Sequence, residues 1–217
     1  MSNHVLVLRT CKADLTSYGG FRWPESGPAE APDWRPDAEC GRGLHGLLWG
    51  EGDGSLLDWS AGAKWLVVEV EAAEIVDLSG KVKFPRGIVV HCGDRASATA
   101  YLAEHGGAGR AIAGGTATAG HRGTATAGSY GIATAGDEGI ATAGSYGIAT
   151  AGDEGTATAG FYGTVAVRYW DGKRYRLAIG YVGEDGIEPG VAYRVEGGRL
   201  VRAGRAERAV AAEGGAA

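Results

Sequence analysis

From Gly115 to Tyr162 the chain reads GTATAGHR, GTATAGSY, GIATAGDE, GIATAGSY, GIATAGDE, GTATAGFY, six copies of one eight-residue unit, and Gly163-Thr164-Val165-Ala166-Val167 carries a degenerate seventh. Self-similarity at a fixed period marks an array of supersecondary units, each stable only when stacked on its neighbours. In Thr116-Ala117-Thr118-Ala119 the residue types alternate, so on a strand both threonines face one way and both alanines the other. Two glycines in every eight residues exclude a helix, at roughly 1 kcal/mol each relative to alanine. Each unit is therefore one short strand and one corner. The Gly-x-x-Gly joints, such as Gly128-Ser129-Tyr130-Gly131, are expected to supply the positive-φ positions of tight corners. Alanine faces are small enough for two sheets to approach closely, which puts the alanines inside and the Thr/Ile rows outside.

The variable pairs reveal a longer period. They run His121-Arg122, Ser129-Tyr130, Asp137-Glu138, Ser145-Tyr146, Asp153-Glu154 and Phe161-Tyr162, so residue types recur every second unit. Two units then make one flattened coil, with Tyr130, Tyr146 and Tyr162 stacked along one edge and His121-Arg122 with the Asp-Glu pairs along the other. Rings about 4.8 Å apart suit such a ladder. Stacked carboxylates repel unless screened or bridged by a cation, which makes Asp137 and Asp153 candidate ligands for a weakly held Ca²⁺. An antiparallel β-meander of the same strands sorts its corners the same way and stands as the alternative.

The fold class expected is mainly β: a small α+β segment over 1–106, a two-sided β-solenoid over 107–164, a β-hairpin cap over 165–203 and a frayed helical or disordered tail over 204–217. Val5 to Leu8, Trp65 to Val70 and Ile88 to His91 are apolar runs of strand type, and Ile75 to Leu78 pairs with Lys81 to Phe84 around Ser79-Gly80. Asp94 caps a helix over Arg95 to Glu104. Between Thr16 and Arg42 the chain is rich in Gly, Pro and Trp, an ordered loop rather than a linker, because Phe21, Trp23 and Trp34 are wasted in a spacer. After the repeats, Asp171-Gly172 and Gly197-Gly198 are hairpin turns, and paired strands there would close the open end of the rod.

Across 217 residues the chain is 44% apolar with a net charge of -5 and three cysteines. Mild acidity gives no reason to expect a nucleic-acid partner, and no run approaches the roughly 20 apolar residues of a membrane span. An odd cysteine count and an N-terminus without a basic segment followed by an apolar one are read as a cytoplasmic protein. Edge strands at the rod's ends make a homodimer plausible on physical grounds.

Cys40-Gly41-Arg42-Gly43-Leu44-His45 is the densest local signal before the array. It resembles the Cys-x-x-Gly-[Phe/Leu]-His motif of an uncharacterised bacterial and phage domain family, over roughly Val5 to Tyr101. Octapeptide arrays rich in Ala, Thr and Gly follow several members. This chain lacks the further cysteine that the family often places two residues after the histidine, and the resemblance implies architecture but no activity. Cys40, His45, His91 and Cys92 are ligand types of a zinc site. Adjacent His91 and Cys92 on a strand point to opposite faces, however, and a buried Cys40 with His45 bonded to backbone is the simpler reading. No cofactor is expected.

Three functions compete. The leading one is a non-enzymatic interaction or assembly protein, with the rod as spacer and Tyr130, Tyr146, Tyr162, Trp23 and Trp34 as contact residues for an unknown protein partner. The alternative is an N-terminal nucleotide-using transferase or toxin, with His45, Arg9 and Glu69 as catalytic candidates and the repeats as a stalk. General acid/base work requires those three within hydrogen-bond reach. No complete catalytic set is visible, so the sequence argues against an enzyme. A third reading starts from the Thr-x-Thr rows, which recur about 7 Å along a strand and about 4.8 Å between coils. That spacing resembles ice-binding β-solenoids.

Overall fold

The computed structural model describes residues 3–204, so the expected tail lies outside the described residues except for Gly204. The first seven strands are β1 (His4–Cys11), β2 (Gly27–Glu30), β3 (Leu44–Leu48), β4 (Lys64–Glu71), β5 (Val76–Asp77), β6 (Val82–Phe84) and β7 (Arg86–Gly93). They form one antiparallel sheet in the order β2-β7-β4-β1-β3-β6-β5. The apolar runs of β1 and β4 are nearly continuous because both faces of this sheet are covered. Leu6, Leu8, Trp65 and Val67 pack under helix α1 (Arg95–Leu102) with Ala98 and Leu102. Val7, Leu66, Val68 and Val70 face the other way, onto Trp23 of the long loop, Ala29 of β2, which interrupts that loop, and Ala31. That loop is ordered, as its tryptophans require: Trp23 is buried and donates its indole N–H to Ser17 Oγ at 3.2 Å.

Asp94 caps α1 as expected. Its carboxylate accepts the Ser97 N–H at 2.8 Å while Ser97 Oγ accepts the Asp94 N–H at 3.1 Å, a reciprocal pair that satisfies two otherwise orphaned donors. The α-helix ends at Leu102 rather than Glu104 and runs into a wider turn over Ala103–Gly107, where His105 and Gly106 leave helical angles.

The repeats form seven strands: β8 (Thr116–Ala119), β9 (Thr124–Ala127), β10 (Ile132–Ala135), β11 (Ile140–Ala143), β12 (Ile148–Ala151), β13 (Thr156–Ala159) and β14 (Thr164–Trp170). Alternate strands pair in parallel, β8-β10-β12-β14 in one sheet and β9-β11-β13 in the other. The fold is thus a two-sided β-solenoid of about three turns, and the parallel pairing removes the antiparallel meander. Register is strict: Thr116, Ile132 and Ile148 align, as do Ala117, Ala133 and Ala149. The alanines from Ala125 to Ala159 are buried between the sheets. A buried methyl contributes only about 0.8 kcal/mol, so the thin core alone holds the coils weakly. The coil-to-coil backbone hydrogen bonds, each worth about 0.5–1.5 kcal/mol net, carry the larger share.

Corner geometry differs from expectation. The left-handed position is not a glycine but the residue before the second glycine of each joint, namely Arg122, Tyr130, Glu138, Tyr146, Glu154 and Tyr162, with φ between 55° and 58°. The corner glycines are needed for close approach instead. A Cβ on Gly144 would lie 2.5 Å from Ser129 N and 2.7 Å from the Gly128 carbonyl carbon in the coil beneath.

Both ends of the stack are covered. At one, Gly128 N–H donates to Ile112 O at 3.0 Å and Trp59 lies on Tyr130 with ring centroids 4.1 Å apart. At the other, β15 (Tyr175–Tyr181) returns antiparallel along β14. Beside it, the hairpin of β16 (Ala192–Glu196) and β17 (Arg199–Arg202) pairs antiparallel to β13. Val182, Ile187 and Tyr193 plug the end of the alanine core.

Candidate functional surfaces

The solenoid presents two outward Thr/Ile faces. On the β8-β10-β12-β14 sheet one column runs Thr116, Ile132, Ile148, Thr164 and the next Thr118, Thr134, Thr150. On the β9-β11-β13 sheet the columns are Thr124, Ile140, Thr156 and Thr126, Thr142, Thr158. The first face is the more open: Thr116, Thr118, Ile132, Thr134 and Ile148 are all exposed, and it continues into exposed Ile179 and Tyr181 of β15. On the second, Thr126, Thr142, Thr156 and Thr158 are half-buried. Each face is thus a lattice of hydroxyl and methyl groups fixed by the hydrogen-bonded register.

Along one edge Tyr130, Tyr146 and Tyr162 stack with centroid separations of 4.8 and 5.2 Å, as the two-unit period requires. The sequence did not show that Trp59 would extend this ladder, nor that Trp59 would in turn meet Trp65 edge-on at 5.1 Å. The stack is covered at Tyr130 and open at Tyr162, which is 73% exposed beside Phe161 at 62%.

The opposite edge is not a bare acidic ladder. Arg122 Nη2 lies 2.7 Å from Glu138, and Arg168 Nη2 lies 2.5 Å from Asp137 Oδ1. The Asp153 N–H also donates to Asp137 Oδ1 at 2.9 Å. That backbone donor, helped by the Arg168 guanidinium, holds the Asp137 carboxyl below the usual carboxylate range. Arg122 and Arg168 each neutralise one carboxylate of this edge, Glu138 and Asp137, and the second of these pairs could not be read from the repeat because Arg168 lies beyond it.

Around the Cys-x-x-Gly-Leu-His segment, part of the expected constellation assembles. Arg9 on β1 and His45 on β3 come together because those strands are neighbours, with Arg9 Nη1 donating to the His45 carbonyl at 3.3 Å. His45 Nε2 accepts the Gly41 N–H at 3.3 Å, the backbone bond that the simpler reading expected. Burial, followed by the nearby charges of Lys81, Arg9 and Lys83, pushes the His45 pKa down to about 4. The imidazole is therefore neutral at ordinary pH.

Glu69 does not join them. It sits on β4 opposite Leu6 with its carboxylate 3.5 Å from His4, so the expected His45/Arg9/Glu69 trio is not formed. Cys40 is exposed rather than buried, and its sulfur accepts from Lys81 Nζ at 3.0 Å, which draws the thiol pKa down. The zinc set is not gathered either: His91 stacks on Tyr101 at 5.3 Å, and Cys92 packs with the core on the Trp23 side of the sheet. Among the described residues no group of three His, Cys, Asp or Glu is placed to hold a metal ion. Of the two tryptophans assigned to binding, Trp23 is buried and Trp34 lies half-buried over Lys83, whose Nζ is 5.6 Å from the ring.

Among the described residues no helix is long and apolar enough to cross a membrane. Residues 5–104 match the model of a domain of unknown function, DUF7666, which agrees with the uncharacterised domain family that the sequence resembles. The chain is also 42% identical over 106 residues to an ice nucleation protein of Pseudomonas fluorescens, covering 48% of this chain and 9% of that protein. It is 46% identical over 99 residues to an ice nucleation protein of Pseudomonas syringae, covering 45% and 9%. It is 42% identical over 103 residues to ice nucleation protein InaU of Pantoea ananas, covering 46% and 10%. The chain thus spans about a tenth of the length of these relatives. No solved structure matches it significantly. The relatives were not anticipated by the family resemblance, and they lend no support to a phage setting. The cytoplasmic expectation is withdrawn on the same finding, because the relatives that the chain matches are bacterial ice nucleation proteins. By sequence, then, this chain combines a match to a domain of unknown function over residues 5–104 with a likeness to bacterial ice nucleation proteins.

Proposed function

We propose that the solenoid binds ice, or orders water into an ice-like layer, through the open Thr/Ile face of its β8-β10-β12-β14 sheet. The observation that carries this reading is the unbroken parallel register of the columns Thr118-Thr134-Thr150 and Thr116-Ile132-Ile148 on an exposed sheet, in a chain similar to proteins named for nucleating ice. A single hydroxyl binds water no better than it binds any other partner. Hydroxyls repeated about 4.8 Å apart between coils, with methyl groups between them that water wets poorly, address many sites of one lattice at once. About three turns make a small template, and small templates stabilise only small ice embryos. Adsorption to existing ice is accordingly the activity expected of this chain, ahead of nucleation at mild supercooling.

The test is thermal hysteresis and ice-shaping by the full chain beside an albumin control, with Thr134→Lys and Thr150→Lys placed together on the open face and Thr142→Lys on the other. Loss of activity in the first variant and retention in the second support the reading. Hysteresis and crystal shape equal to albumin for the unmodified chain refute it.

A second reading, assembly through the tyrosine edge, is favoured by the exposed end of the ladder at Tyr146, Phe161 and Tyr162. Replacing Tyr146 and Tyr162 with Ser and measuring mass in solution separates it from ice binding, which those changes leave intact.

A further inference from the structure

The cavity between the Cys40–His45 segment and the Tyr18–Trp23 loop is left unused by the ice reading. Its volume is about 670 Å³, inside the range of roughly 300–1,000 Å³ that small-molecule sites occupy. Two kinds of group line it. Half-buried Phe21, backed edge-on by the buried Trp23 with ring centroids 5.2 Å apart, forms an aromatic wall, and Tyr18 stands fully exposed at the mouth. Arg9, Arg42 and Lys81 bring positive charge to the same space, against one acidic residue at its lining, Asp33.

Arg9 is the informative residue. Its guanidinium sits largely out of water, which lowers its pKa, and its Nε is buried with no hydrogen-bond partner. The long bond to the His45 carbonyl is the hydrogen bond it makes, and among the described residues no carboxylate forms an ion pair with it. A guanidinium stays charged throughout the ordinary pH range, and the groups that meet this one are the neutral His45 carbonyl and the Trp23 ring, whose centroid lies 5.9 Å from the guanidinium carbon. Nearby Lys83 shows the usual solution: fully buried, it pairs with Asp37 at 2.8 Å and with the Glu39 carbonyl at 2.8 Å. Arg9 has no such counter-charge. The planar fork it presents fits the paired oxygens of a phosphate or carboxylate. Neutral His45 beside it adds no competing charge, and Lys81 adds a further cation within the same lining.

We infer that this cavity is a binding site for a small aromatic phosphate of mononucleotide size, with the phosphate on Arg9 and Lys81 and the ring against Phe21 at the Tyr18 mouth. The site stands apart from the solenoid faces, so its failure and the failure of the ice reading are separately visible. It also leaves the enzyme alternative without Glu69: the geometry assigns binding here and no reaction.

Cys40 provides a built-in reporter, because its exposed thiol is at the rim, in contact with Lys81. The experiment titrates the full chain with 5′-AMP and 5′-UMP by calorimetry, with inorganic phosphate and adenosine as single-feature probes, and follows Cys40 alkylation by mass spectrometry in each. The expected result is binding of at least one nucleotide, slower Cys40 alkylation when it is bound, and weaker binding of phosphate or adenosine alone. Arg9→Gln should weaken binding by about tenfold or more, the scale of a charge-assisted hydrogen bond. Lys81→Ala, at a half-exposed position, repeats the test if Arg9→Gln fails to fold. No heat and no protection with either nucleotide at about 1 mM overturns the inference. So does equal binding of inorganic phosphate, which removes the aromatic wall from the site, or unchanged affinity in a folded Arg9→Gln or Lys81→Ala chain.

Discussion

Gly120 and Gly136 occupy the same place in consecutive coils and should answer one substitution with opposite signs. A Cβ on Gly120 meets nothing within 4 Å, because Gly120 belongs to the first corner of its edge and has no coil beneath it. A Cβ on Gly136 would stand 2.7 Å from the Gly120 carbonyl carbon, 2.8 Å from His121 N and 2.9 Å from Gly120 O. All three are backbone atoms and cannot swing aside. Neither glycine has a positive φ, so alanine is conformationally acceptable at both. Gly120→Ala should then stabilise by about 0.4–1 kcal/mol, through the smaller entropy of the unfolded chain. Gly136→Ala gains the same entropy but must push two coils apart, straining the bond from Gly136 N–H to Ala119 O at 3.0 Å. Overpacking of this kind costs about 1–3 kcal/mol. Urea unfolding followed by far-UV circular dichroism, compared at constant slope, reads the difference as a shift of midpoint. Equal shifts in the same direction for the two variants would refute close coil-to-coil approach as the reason for the corner glycines.

Three further outcomes follow from the geometry. His45, depressed from 6.5 to about 4 by burial, favours the neutral fold, so its contribution is complete above its unfolded value and is lost as pH falls through that window. At about 1.4 kcal/mol per pH unit, stability relative to His45→Gln should fall by up to ~3 kcal/mol between those limits; parallel pH profiles for the two proteins would contradict this. Near neutral pH, iodoacetamide should alkylate Cys40 first and Cys11 last, because Lys81 stabilises the Cys40 thiolate while burial pushes Cys11 up to about 11. Lys81→Met should slow the first reaction, and peptide mapping that finds Cys11 ahead of Cys40 would reverse the assignment. Trp59→Ala removes the ring stacked on Tyr130 and the edge contact to Trp65 and should cost about 3 kcal/mol; a change below ~1 kcal/mol by calorimetry would show that the ladder needs no such cap.

How much could be read in advance varied with the range of the interaction concerned. The solenoid was legible because its rules are local and repeated: alternation sets inside and outside, and the alternating pairs set two sides. The corner φ values were misplaced because a Gly-x-x-Gly joint offers two reasons for glycine, free φ and close approach. Only the stacked coil shows that the second applies, with Tyr130 or Glu138 taking the strained conformation. The acidic edge was misjudged in part because Arg168, which neutralises Asp137, arrives from β14 beyond the array. In the N-terminal segment the sequence named Arg9, His45 and Glu69 together but could not show which of them meet: Arg9 and His45 do, and Glu69 does not. Its strand is adjacent to β1, but the register pairs it with Leu6 and leaves its carboxylate beside His4.

The sequence by itself determined the coil: its period, its alanine core, its Thr/Ile exterior and its tyrosine edge. Each of these follows from side-chain alternation and a residue pattern repeated without interruption. Tertiary structure alone decided what the N-terminal segment does with its chemistry. A seven-stranded antiparallel sheet in the order β2-β7-β4-β1-β3-β6-β5 brings Arg9, the Cys40–His45 segment and Lys81 around one cavity from three separate places in the chain. No pattern along the chain encodes that meeting, because it depends on which strands lie side by side and in what register they pair.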